Sequence, residues 1–129
     1  MPFTLAGNTF SFMWDRPVVE ALDALGALGL STFDVIATPG HLWHSELEGV
    51  GRATLRRTLE ERNYTLDSLN PPATDYNLAS LTPDVRQLAI GMYRETINLA
   101  ADLRQRRRRG AGARLKPPAP AARTTLGCA

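Results

Sequence analysis

The chain has 129 residues, 43% hydrophobic and 22% charged, with a formal net charge of +2, which suits one ordinary domain. Its single thiol, Cys128, excludes an internal disulfide framework and a cysteine-based zinc site, and no apolar run approaches the roughly 18 residues of a membrane span. The opening Met1-Pro2-Phe3-Thr4 has neither the basic nor the apolar region of a secretory signal, so a cytoplasmic protein without membrane contact is the expectation.

Phe3 to Phe12 is rich in β-branched and aromatic residues and contains Gly7-Asn8, which predicts a buried strand ending near Asn8. Asp15 and Pro17 mark a helix start, and Val18, Ala21, Leu22, Leu25 and Leu28 follow at helical spacing. Gly29 before Leu30 is suited to a left-handed C-terminal cap. Thr32 to Ala37 reads as a second strand, stopped by Thr38-Pro39-Gly40. After the loop His41-Leu42-Trp43-His44, Ser45 and Glu48 have capping-box spacing for a helix reaching Arg62, with Leu55 and Leu59 facing inward.

Tyr64 to Leu69 predicts a third strand, closed by Asn70-Pro71-Pro72. Thr82-Pro83-Asp84 starts a last helix, along which Val85, Leu88, Ala89, Met92, Tyr93, Thr96, Ile97 and Ala100 form the expected inward stripe. Strand and helix alternate three times, the pattern of a parallel α/β architecture. The loops after the strands are the longer and chemically richer ones, and parallel α/β folds bind ligands there. Gly7-Asn8-Thr9 lacks the further glycines of a dinucleotide or P-loop fingerprint.

The ends of the chain differ in kind. Residues 1–103 hold all 13 acidic residues against 7 basic ones, a charge of −6, whereas residues 104–129 hold 8 basic residues and no acid. The second segment is composed mainly of Arg, Ala, Pro and Gly, a composition expected to be disordered. Two origins fit it: a basic arm gripping phosphate through Arg106 to Arg109, or the product of a frame slip in a GC-rich gene. Even an accidental tail of this composition is expected to bind polyanions weakly and without specificity.

Three motifs carry a resemblance: AGNTFSF at the first strand, TPGHLWHSEL after the second, and SLNPPATDYNLAS around the third. In this order, each at an expected strand end, they are similar to the sugar phosphate isomerase/epimerase family of xylose isomerase-like TIM barrels. The resemblance covers residues 3–103. It implies that residues 1–103 are a partial (β/α)8 barrel of about three βα units, truncated before the fourth strand, with residues 104–129 as an appended tail.

Family members use a divalent metal of the Mn or Mg type to bridge two sugar oxygens, while two carboxylates move a proton through an enediolate. The cation makes a carbon-bound proton acidic enough to transfer. The family's ligands, two Glu, one Asp and one His, belong to strands in the second half of the barrel. None is carried over to this chain, which is therefore expected to hold no metal and to lack activity alone.

Asn8, His41, Asn70 and Asn77 are the expected substrate-side residues, because amides and an imidazole at strand ends can orient sugar hydroxyls. Turn chemistry for the asparagines, and packing beside Trp43 for His41, are the competing roles. Asp34 and Asp67 are expected at helix-facing or strand-edge positions in solvated or capping roles, and Trp14 and Trp43 in packing. The implied ligand is a sugar or sugar phosphate, and the open sheet edges of a partial barrel imply self-association. Two other readings remain open. An apurinic-site endonuclease-like barrel would carry His where this chain has Asn70, and a small nucleic-acid-binding module would use the arginine-rich tail.

Overall fold

The computed structural model describes residues 3–71 and 76–104. The expected disorder and polyanion binding of the tail beyond Arg104 lie outside the described residues, as do residues 72–75. Three parallel strands, β1 (Gly7–Asn8), β2 (Thr32–Ile36) and β3 (Thr65–Asn70), form one sheet in chain order β1-β2-β3. Helices α1 (Val18–Gly26), α2 (Gly49–Glu61) and α3 (Pro83–Leu103) follow them in turn. The α/β class and the strand–helix alternation are those expected from the sequence. Among the described residues no helix is long and apolar enough to cross a membrane.

Burial alternates along β2 with the strand period of two. Phe33 and Val35 point into a core with Val18 and Leu22 of α1, Leu55 and Leu59 of α2, and Leu99 and Leu103 of α3. All three helices therefore cover one face of the sheet. Thr32, Asp34 and Ile36 point to the other face, which carries no helix among the described residues. A fully buried leucine or phenylalanine contributes about 1.5–3 kcal/mol, so this single core holds the layers together. Phe33 also meets the ring of Tyr64 edge to face, with centroids 5.0 Å apart.

Register is regular except at one place. Gly7 pairs with Phe33, Asn8 with Asp34, Phe33 with Leu66, Asp34 with Ser68 and Ile36 with Asn70. The shift between Phe33 and Asp34 makes Asp67 an extra residue on β3. The bulge keeps Leu66 beside Phe33 while placing Ser68 and Asn70 on the same face as Asp34.

Helix ends are closed by backbone chemistry. Leu30 N–H donates to the Leu25 carbonyl and Gly29 N–H to the Gly26 carbonyl, and Gly29 adopts φ +88°, the paired pattern of a Schellman cap. Asn63, at φ 55°, closes α2 in the same manner, with Tyr64 N–H on the Leu59 carbonyl.

Three local expectations need correction. The first strand ends at Asn8 as expected, but it is not a long buried strand: only Gly7–Asn8 pair, and Phe3 and Leu5 before them are exposed, while Phe10–Phe12 turn as a 3-10 helix. Ser45 and Glu48 form no capping box, because α2 starts at Gly49 and Glu48 is its uncapped N-cap residue. The chain before it is held by Arg52, whose guanidinium donates to the carbonyls of Leu47 at 2.8 Å and His44 at 3.0 Å. On α3 the buried stripe is Ala89, Thr96, Leu99 and Leu103, whereas Val85, Leu88 and Ile97 are exposed. The apolar surface of this helix is wider than its contact with α2 and β3, and periodicity cannot tell which flank a neighbour covers.

Candidate functional site on the helix-free sheet face

A polar cluster occupies the helix-free face at the C-terminal end of the sheet. Asp34, on the central strand, is its hub. Asn8 Nδ2 donates to Asp34 Oδ2 at 2.6 Å, Asn70 Nδ2 donates to Oδ1 at 2.5 Å, and the Ser68 hydroxyl also donates to Oδ1. Each partner comes from a different strand or row: Asn8 ends β1, Ser68 lies opposite Asp34, and Asn70 ends β3. Asp34 therefore lies on the central strand and away from the helices, which corrects the strand-edge or helix-facing placement expected from the sequence. Asp67 is the exposed bulge residue beside it.

Asn8 has a second anchor, since its Oδ1 accepts from Phe10 N–H at 2.7 Å. This Asx-type turn begins the 3-10 segment and orients the amide. Asn77 makes a similar local bond from Ala79 N–H at 2.9 Å and is exposed on the loop before α3. None of its bonds reaches the Asp34 cluster.

His41 lies beneath the cluster rather than in it. It is 5% exposed, and both ring nitrogens meet protein atoms: Nδ1 the Arg16 carbonyl at 2.5 Å, Nε2 the Thr9 hydroxyl at 3.0 Å. A carbonyl only accepts, so Nδ1 carries the proton, and in the neutral ring Nε2 accepts from Thr9. Thr9 Oγ1 in turn accepts from Ile36 N–H at 3.1 Å, and Thr9 N–H donates to the Asp34 carbonyl. The chain of bonds from Arg16 through His41 and Thr9 to β2 fixes the backbone that carries Asn8 and Asp34. The loop is anchored further by Glu46, whose carboxylate accepts from Gly40 N–H at 2.9 Å where Gly40 takes φ +79°.

Trp43 is buried against the tilted ring of His44, at 4.4 Å between centroids, so the histidine packed on this tryptophan is His44 and not His41. Trp14 is exposed instead of packed. Along the free edge of β3, a cleft of about 330 Å³ is lined by Leu66–Leu69 together with Ala100, Leu103 and Arg104.

Among the described residues no group of three or more His, Cys, Asp or Glu side chains is arranged to hold a metal ion. Both oxygens of Asp34 already accept protein donors, and both nitrogens of His41 are engaged. What the cluster can do chemically is hold amide groups in fixed orientations over an open surface. The sequence singled out Asn8 and Asn70 but not Asp34 and Ser68; alternation with Phe33 and Val35 is the signal that turns Asp34 away from the core, whereas Ser68 comes opposite it only through the bulge.

Compared with models of known protein families, with curated proteins and with solved structures, the chain matches none.

Proposed function

We propose that this chain is the opening segment of a (β/α)8 barrel of the sugar phosphate isomerase/epimerase type and supplies part of a sugar-binding wall. The observation carrying the proposal is that Asn8, Asp34, Ser68 and Asn70 converge on the helix-free face of a parallel sheet whose strands run in chain order. A doubly wound sheet reverses its strand order at the binding crevice and covers both faces with helices. A barrel keeps chain order, places every helix outside, and turns the other face toward its interior. The cleft along β3 is where a fourth strand would pair, and the exposed flank of α3 is where a fourth helix would pack.

In this reading Asn8 and Asn70 meet sugar hydroxyls, and His41 supports them from below through Thr9. Asn77 stands on the loop rising from the third strand, at the rim. Because the residues present do not form the family's metal site, no proton-transfer step is assigned to them, and the segment alone does not isomerise a sugar. The outer edges of β1 and β3, which have no partner strand among the described residues, favour association with further copies.

The test is to incubate the purified chain with a panel of aldoses and ketoses and Mn2+ or Mg2+, following both turnover and the NMR signals of the side-chain amides. The expected result is no turnover, with sugar-dependent shifts at Asn8 and Asn70. Turnover by the chain alone, or shifts confined to other residues, contradicts the proposal.

A further inference from the structure

We infer that Asp34 is the positioning residue of this cluster and sets it to receive a vicinal diol, two hydroxyls on adjacent carbons of an uncharged part of the ligand; this rests on the sugar-binding reading of the same face. A carboxylate only accepts hydrogen bonds, so the NH2 ends of Asn8 and Asn70 must both turn toward Asp34. An amide free to rotate offers a ligand either end, whereas these two cannot.

The groups left over define the ligand. Each amide retains one N–H, and among the described residues no group donates to Asn70 Oδ1. The Oδ1 of Asn8 accepts from Phe10 N–H. A carboxylate has about four acceptor sites, and Asn8, Ser68 and Asn70 use three of those on Asp34. Among the described residues one lone pair stays free on Asn8 Oδ1, both stay free on Asn70 Oδ1 and on the Ser68 hydroxyl oxygen, and one site stays free on Asp34, so two donors stand among several acceptors. A hydroxyl both donates and accepts, so two adjacent hydroxyls can each take one amide N–H and give one proton back, to Asn70 Oδ1 and to Asp34. A lone hydroxyl has one proton to give to these acceptors, whereas a vicinal diol has two. A phosphate is anionic and is repelled by the carboxylate, so the charged end of a sugar phosphate must lie away from Asp34.

The experiment is NMR titration of the full chain with ribitol, following the side-chain amides of Asn8 and Asn70. A linear pentanediol with hydroxyls only at its ends and inorganic phosphate serve as comparison probes. In the free protein, scalar couplings across the hydrogen bonds should connect both Nδ2 atoms to the Asp34 carboxyl carbon. Ribitol should shift both amide pairs, the pentanediol should bind about tenfold more weakly, and phosphate should shift neither. Asp34→Asn should weaken ribitol by about tenfold or more, because its amide lets the neighbouring amides turn.

Absent couplings overturn the inference, and this measurement decides the matter if Asp34→Asn does not fold. Equal ribitol binding by the wild type and Asp34→Asn overturns the role of Asp34 and leaves the sugar-binding reading standing. A wild type in which ribitol moves neither amide overturns both.

Discussion

His41 and Thr9, 32 residues apart in sequence, share a 3.0 Å hydrogen bond that joins the loop after β2 to the end of β1. Thr9 is fully buried, and His41 reaches it from a position where its other nitrogen is committed to the Arg16 carbonyl. Replacing His41 with Ala leaves the Thr9 hydroxyl and that carbonyl without their partner. The expected cost in urea unfolding is about 2–4 kcal/mol, since groups stranded in the interior lose more than the net worth of one bond. A loss below about 0.5 kcal/mol, the range of ordinary surface substitutions, would show that the imidazole does not bridge the two elements.

Gly26 is the close-approach position between α1 and Tyr64. A Cβ there would overlap the Tyr64 hydroxyl. Gly26→Ala is expected to destabilise by about 1–3 kcal/mol, although alanine is the better helix former. Tyr64→Phe on top of Gly26→Ala should recover part of the loss by removing the overlapping oxygen. Purely additive losses in the double variant would contradict this packing.

Tyr64 also makes stability depend on alkaline pH. Burial raises its phenol above the ordinary value near 10.0, and its hydrogen bond to Asp23 adds to the rise, while Arg62 opposes it. The folded protein therefore holds this proton more tightly than the unfolded chain does. The contribution is complete below the unfolded pKa and is lost as pH rises through the folded one. Urea unfolding between pH 8 and 11 should show stability falling at the top of that range, about 10 and above, with the Tyr64 component absent from Tyr64→Phe. An unchanged profile in the variant would refute the assignment.

Arg52 acts through its fork rather than its charge. It is 17% exposed and bonds the carbonyls of His44 and Leu47 as well as Asp102, which is mostly in solvent. Arg52→Lys keeps the charge but cannot make three directed bonds, and about 1–2 kcal/mol should be lost. Asp102→Asn should change stability by less than about 1 kcal/mol, as expected for an exposed ion pair. A larger loss for Asp102→Asn than for Arg52→Lys would reverse this assignment.

The elements legible in the sequence are those set by local chemistry. Phe33 and Val35 alternate with polar residues before Pro39-Gly40, Gly29 marks the end of α1, and Leu55 and Leu59 sit a helical turn apart; each appears where expected. What escaped were choices made by tertiary contacts. The Phe3–Phe12 run has strand composition, but only Gly7 and Asn8 find a partner strand. Ser45 had the spacing for a cap, yet Arg52 claims the carbonyls of that segment. At the site, the asparagines at strand ends were legible as amides placed where a parallel α/β fold meets its ligands. The convergence of Ser68 and Asn70 on Asp34 was not, because it depends on a bulge that no local pattern announces.

The account turns on whether the helix-free face and the outer edge of β3 are surfaces made to be covered by the rest of a barrel. The most direct measurement is to mix the full chain with a polypeptide carrying strands four to eight of a sugar isomerase barrel and follow backbone amide exchange. A one-to-one complex is expected, with exchange slowed at β1, at β3 and around Asn8, Asp34 and Asn70, and little changed in the middle of β2. No complex, together with β3 amides in the chain alone as protected as those of β2, would contradict it.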